Sequence, residues 1–422
     1  MLKFRKAVLG LAAVAMVGVM TLMGCQAGPV ELEMYYYKQE ATDGINKMVA
    51  EFTKDYPNIT IKTLIVPNDG GATLKTRSAA GNLPDLVQLQ SYAQVVEYAK
   101  PGYLLDLTND AVMGKVVDSA KNAVTYNGKQ FAVPMDFAGI GIIYNKAIFA
   151  KLGLKAPTTF PELQNVVATL QKNGVTPFAG LLKANWSIGH FVSLVHTSLL
   201  GAKGGNAAIL KFIDEMNAGT GSFGKDVDIN EVTKIIDFYK SGMDTNAAEM
   251  DWNEQQAAFA AEKAAMMVQG LWSYGAAIGT NPALDCGFVP FPVTTNAADT
   301  KFFADVDSTF AISSQSTPEK QAGAKKFLEW LSTERAIKIW TEDVKLTSSF
   351  KGADLSAMQT PFQELMTSVA TVGAYPWAFS MYPNATFETA VKTSGQGYML
   401  GQKTAADLVA DVDKSWAENK AQ

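Results

Sequence analysis

Histidine, arginine and cysteine are all scarce, and each scarcity closes off a kind of chemistry. The histidines are His190 and His196 alone. Their spacing puts them on different faces of a helix, which argues against a metal site or a histidine-based triad. The arginines are Arg5, Arg77 and Arg335. Arg77 and Arg335 read as helical positions, so neither is placed as the carboxylate clamp an amino-acid receptor needs. Cysteine occurs only at Cys25 and Cys286. The glycine-rich stretch 201–205 lacks the Lys-Ser/Thr of a phosphate loop. Residues 226–237 mimic a calcium loop, but Glu231 stands where glycine is needed and Asp237 where glutamate is. The formal net charge is −5 with no basic block, a poor balance for holding nucleic acid.

What is present is globular. The chain has 422 residues, 48% hydrophobic and 18% charged, with no low-complexity run and no internal repeat. That length exceeds one ordinary core and points to two domains. The N-terminus reads as an address. Lys3, Arg5 and Lys6 precede an apolar run over 7–22, which is short for a membrane-spanning helix. Leu22-Met23-Gly24-Cys25 follows and resembles the lipobox of bacterial lipoproteins. The resemblance implies a signal peptide over 1–24, a diacylated Cys25, a tether over 25–29 and a lipid anchor on the membrane's outer face. Residues 1–24 hold three basic residues and no acid, so the remaining chain is more acidic still. With Cys25 acylated, Cys286 is the only other thiol and no intrachain disulfide is available.

Residues 126–154 organise the rest. Asn127-Gly128 predicts a two-residue hairpin, because a type I′ turn needs positive φ at both central positions. A strand over 130–133 then meets Pro134, which cannot donate in a central ladder. Residues 135–139 form a short irregular crossing with one carboxylate, Asp136. A buried strand over 140–144 follows, and then a helix closed by Gly153. Two strands joined end to end this way carry a chain between domains through a narrow hinge.

The residues of this stretch resemble a family. Phe131-Ala-Val-Pro134, Asp136, Ile143-Tyr-Asn-Lys146, Phe149, Leu152-Gly-Leu154, Pro157 and Thr159-Phe-Pro-Glu-Leu163 are similar to the crossover of bacterial extracellular solute-binding proteins. The similarity is to the carbohydrate-binding, maltose-binding-protein type that serves ATP-binding-cassette importers. Weaker matches follow. They include Leu83-Pro-Asp85 before a strand, and Phe259, Glu262, Lys263, Ala265-Met266, Gly270 and Trp272. The resemblance implies an α/β, two-lobe periplasmic-binding-protein-like fold. Each lobe is expected to be a mostly parallel sheet flanked by helices, with three hinge crossings between them. It also implies a sugar ligand, an ABC permease partner, a monomer, no cofactor and no catalysis.

The chain order agrees with alternating strands and helices. Strands are predicted over 30–37, 59–66 and 85–90, with helical stretches between. Val30, Leu32, Met34 and Tyr36 should share one face of the first strand. Beyond the crossover, helices are expected over 162–172, 188–200, 206–217, 229–240 and 253–262, and a buried strand over 264–268. A strand over 302–307, a polar break and a strand over 309–313 repeat the crossing logic. A third crossing is expected near 345–351. The N-terminal lobe is expected at 30–135 and 309–345, and the C-terminal lobe at 136–308 and 346–422.

A sugar offers hydroxyls and an apolar C–H face, so its site needs polar acceptors beside flat rings. The aromatics at predicted loops or strand ends are Tyr36, Tyr37, Trp186, Trp272, Tyr274, Trp377 and Tyr382. A lone tryptophan is most often core packing, but Trp272 matches the family's stacking tryptophan. Asp136 and Asp307 lie at two predicted crossings and serve equally well as sugar acceptors or as hinge caps, with Asp305 competing with Asp307. Lys38, Glu40 and Gln90 sit at strand ends, where ligands bind in such sheets. The expected sugar-binding set is therefore Tyr36, Lys38, Glu40, Gln90, Asp136, Trp186, Trp272, Tyr274, Asp307 and Trp377. The rival functions are a binding protein for a non-sugar solute and a surface glycosidase, which also pairs carboxylates with aromatics.

Overall fold

A computed structural model describes residues 28–67, 71–356 and 358–420. The expected signal peptide and Cys25 lie outside the described residues.

The first sheet begins with β1 (Val30–Tyr36), β2 (Ile59–Ile65) and β3 (Leu86–Gln90). Both β2 and β3 run parallel to β1, with helices Thr42–Asp55 and Ala72–Ala79 in the connections. Leu32, Met34 and Tyr36 are buried as the alternation predicts, and Tyr35 is buried too because helices cover this sheet. A hairpin of β4 (Thr125–Tyr126) and β5 (Lys129–Gln130) follows. It turns through Asn127 and Gly128, with φ of 49° and 75°. Then come β6 (Val133–Pro134) and β7 (Phe137–Asn145). Pro134 sits on the sheet's edge strand, where a missing donor does no harm.

The second sheet is built on β7. Its other strands are β8 (Thr176–Phe178), β9 (Ala264–Gly270), β10 (Cys286–Val289) and β11 (Phe302–Val306). The chain returns to the first sheet as β12 (Ser308–Ile312) and later adds β13 (Ala374–Tyr375) to the second. The sheet orders are β2-β1-β3-β12-β6 and β13-β11-β7-β9-β8, with β10 also on β7.

Both sheets are mostly parallel, as expected, with a single strand reversed in each. In the first, β12 is antiparallel to both β3 and β6. In the second, β7 is antiparallel to β9, β10 and β11. The reason is the waist: a strand that crosses from one sheet must enter the other against the direction of the strands already there.

Helix boundaries follow local chemistry. Thr159 and Glu162 form the predicted capping box for helix Phe160–Lys172, and Asp251 and Glu254 form another for Trp252–Ala260. The two helices expected over 188–200 and 206–217 are both present, end to end within Asn185–Ala218 and separated where Gly204 and Gly205 leave helical geometry.

The crossings form one narrow waist. Between β6 and β7 lie only Met135 and Asp136, and between β11 and β12 only Asp307. Met135 N donates to Ser308 O at 2.9 Å, and Asp307 N to Asp136 O at 3.1 Å. Residues 347–349 lie against the first crossing: Phe137 N donates to Thr347 Oγ1 and Ser349 N to Met135 O, each at 2.9 Å. Lys351 N still bonds Lys115 O at 2.8 Å. The third passage therefore comes after Lys351, slightly later than expected, before helix Thr360–Val372 packs on β10. Among the described residues, no helix is long and apolar enough to cross a membrane.

Candidate functional site

A cleft of about 440 Å³ opens beside this waist. Its two walls differ in chemistry.

One wall comes from the carboxyl ends of β1 and β3. Tyr35, Tyr37, Lys38, Gln39, Glu40, Gln88, Gln90 and Gln94 line it. Gln88 is fully buried, and its Oε1 accepts from Tyr37 N at 3.1 Å and Lys38 N at 3.3 Å. That fixes the backbone after β1 and leaves Gln88 Nε2 without a partner. The Tyr37 hydroxyl is also buried and unpartnered. Burial, reinforced by Asp307 and Asp136, pushes its pKa well up, so it stays a proton donor.

Lys38 joins this wall to the waist. Its ammonium bonds Asp307, meets Asp136 Oδ2 at 3.4 Å and has Glu40 Oε1 at 3.9 Å. Burial pulls the lysine's pKa down, but the surrounding carboxylates outweigh it and hold its pKa above the ordinary value. One cation serves three carboxylates. Asp307 therefore keeps an excess of negative neighbours, and burial with Asp136 lifts its carboxyl to about 6 despite Lys38. Burial raises Glu40 as well. Asp136 is wholly buried and also accepts from Ser308 N at 3.0 Å and Ser308 Oγ at 2.5 Å.

The opposite wall is aromatic and is built at helix starts. Trp186 lies in the first turn of Asn185–Ala218, while Trp252 and Trp272 open Trp252–Ala260 and Trp272–Thr280. All three line the cleft. Trp272 folds back on its own strand: a Cβ at Gly270 would fall 2.1 Å from the ring, so only glycine fits there. Trp252 Nε1 donates to Ser273 Oγ at 2.9 Å, which fixes that ring. His190, one turn beyond Trp186, stacks on Phe379 at 4.5 Å and sits 6.0 Å from Trp272. Burial drops its pKa to about 3, helped by Lys392, so it is a neutral imidazole. Its Nδ1 has no partner. Lys392, itself buried, donates to Glu388 Oε1 at 2.6 Å. The walls approach closely, with Lys38 Nζ 5.8 Å from the centre of the Trp272 ring.

Of the expected residues, Lys38, Glu40, Gln90, Trp186, Trp272 and Asp307 line the cleft. Tyr36 does not. It points into the first core, and its neighbours Tyr35 and Tyr37 face the cleft instead, a parity set by the two-residue strand period. Asp136 is sealed behind Lys38, in the hinge-bonding role. Tyr274 packs on Phe362 at 6.0 Å in the second core, because a residue two beyond Trp272 turns to the helix's other side. Trp377 is buried 6.1 Å behind Trp272, with its Nε1 on Phe303 O at 2.7 Å. Tyr35, Gln88, Gln94, Asn185, His190, Trp252, Glu388 and Lys392 were not foreseen. Glu388 and Lys392 lie one helical turn apart near the C-terminus and reach the cleft only by tertiary packing.

This architecture has clear relatives. Residues 38–338 match the model of the bacterial extracellular solute-binding proteins, and the chain belongs to that family. It is 26% identical to the multiple sugar-binding protein of Streptococcus mutans over 82% of this chain and 81% of that protein. It is 30% identical to an uncharacterized ABC transporter extracellular-binding protein of Pyrococcus horikoshii, over 72% and 68%. A solved structure of the solute-binding protein RafE in complex with raffinose superposes with a TM-score of 0.81, at 24% identity, covering 93% of this chain and all of that one. That likeness shows the two-lobe fold.

Proposed function

We propose that the chain is the lipid-anchored substrate-binding component of an ABC sugar importer. It traps an oligosaccharide between its lobes as a monomer and hands it to a membrane permease. The observation that carries this reading is the pairing of the two walls. Tryptophan faces opposed to unpartnered buried polar atoms suit a molecule with apolar C–H faces and many hydroxyls. The cleft volume falls in the usual range of small-molecule sites, roughly 300–1,000 Å³. Relatives named as sugar-binding proteins support the same class.

Lys38, Glu40, Gln90 and Asp307, with Tyr37 and Gln88, are assigned to sugar hydroxyls, and Trp186, Trp252 and Trp272 to stacking. The lobes are taken as 30–135 with 309–345, and 136–308 with 346–422, turning about the waist. Calorimetry against a panel of mono- and oligosaccharides tests the function. Saturable binding of at least one oligosaccharide is expected, and no binding across the panel contradicts it. Membrane fractionation of Cys25→Ser tests the anchor: release is expected, and unchanged membrane association contradicts it.

A further inference from the structure

The charged side chains on the cleft are as informative as its rings. Among the described residues, Lys38, Glu40, Asp307, Glu388 and Lys392 are the charged groups that line it. Both lysines are already engaged, Lys38 by Asp136 and Asp307 and Lys392 by Glu388. The lining carboxylates outnumber the lysines by one, and Asp136 behind Lys38 adds another. Glu40 is the least neutralised of them, since Lys38 Nζ is 3.9 Å away, beyond hydrogen-bond reach. We propose that the cleft accepts uncharged and amino sugars and rejects uronic-acid sugars, a charge selectivity that rests on the sugar reading above.

A sugar carboxylate entering here meets no available ammonium. To gain one, it must take Lys38 from two buried carboxylates, which leaves buried charges unpaired, or take Lys392 from the half-buried Glu388, which loses its partner. Glu40 adds direct repulsion. The helix starts at Asn185 and Trp272, which carry no side-chain cap, act in the opposite direction. Each supplies only about half a charge, however, and suits a hydroxyl oxygen as well as an anion. An ammonium on a sugar faces the reverse situation, because Glu40 can receive it directly.

The test is calorimetry on matched trisaccharides. Neutral galactose and glucose oligomers are compared with counterparts whose primary alcohols are oxidised to carboxylates, and with 2-amino counterparts. Oxidation is expected to weaken binding at least about a hundredfold, while the amino forms bind within about tenfold of the neutral ones. Glu40→Gln, which removes repulsion without releasing a buried lysine, is expected to narrow the neutral-to-uronate ratio at least about threefold. A uronate bound within a hundredfold of its neutral counterpart overturns the inference. So does a ratio unmoved by Glu40→Gln, which assigns the rejection to shape. If no sugar binds in any arm, the sugar reading itself fails, a separate result that removes this inference with it.

Discussion

The two walls of the cleft solve different problems with different parts of the chain. The polar wall grows from strand ends and is tied into the waist: Lys38 bonds the very carboxylates that lie at the crossings. Its side chains hold the molecule together as well as meeting a ligand. The aromatic wall grows from helix starts and rests on further rings, with Trp377, Phe379 and Phe387 behind it. Its outer rings contact no charge at the crossings except across the cleft, at Lys38. Damage to the polar wall at Lys38, which is tied to the crossings, should therefore reach the fold, and damage to the aromatic wall should stay with binding.

The largest expected effect is on the polar wall. Lys38→Met leaves Asp136 and Asp307 buried without their cation, a change that typically costs about 3–5 kcal/mol. Urea unfolding should show an unfolding free energy lower by that amount, and one within about 1 kcal/mol of wild type would make Lys38 a ligand group only. Next comes Trp272→Ala, which removes a flat face at the centre of the site. Sugar affinity should fall at least about tenfold, or 1.4 kcal/mol, in protein whose circular dichroism remains native. Unchanged affinity would make Trp272 packing alone. The smallest is Tyr37→Phe, which deletes an unpartnered hydroxyl and nothing else. One neutral hydrogen bond is worth about 0.5–1.5 kcal/mol, so affinity should drop about twofold to tenfold with stability unchanged. A loss of stability instead would mean the hydroxyl serves the fold.

The walls were also unequally legible. The waist could be read because its signals are local: Asn127-Gly128 for the hairpin, Pro134 at an edge, and Asp136 and Asp307 between consecutive strands. The strand-end rule found Lys38, Glu40 and Gln90. It failed on Tyr36, because closeness to the strand end outweighed the alternation of Glu31 and Glu33 with Leu32 and Met34, which already put Tyr36 on the core face. On the aromatic wall, Trp272 was readable through its family motif, while Tyr274 was misplaced by a neighbour's proximity in sequence. Trp252 stood one residue outside the helix as predicted and carried no mark of its own. His190, Glu388 and Lys392 sit within helices, and only the packing of distant segments turns them toward the cleft. The third passage slipped beyond Lys351 because Phe350 pairs with Val116, a contact far apart in sequence.

The central claim is that one sugar touches both walls and draws them together. A ligand shifts such an equilibrium only by binding the closed form better than the open one. Small-angle X-ray scattering of the protein, with and without a saturating amount of the sugar found by calorimetry, tests this directly. The account predicts a smaller radius of gyration with sugar bound. A radius that does not change at saturation would contradict it.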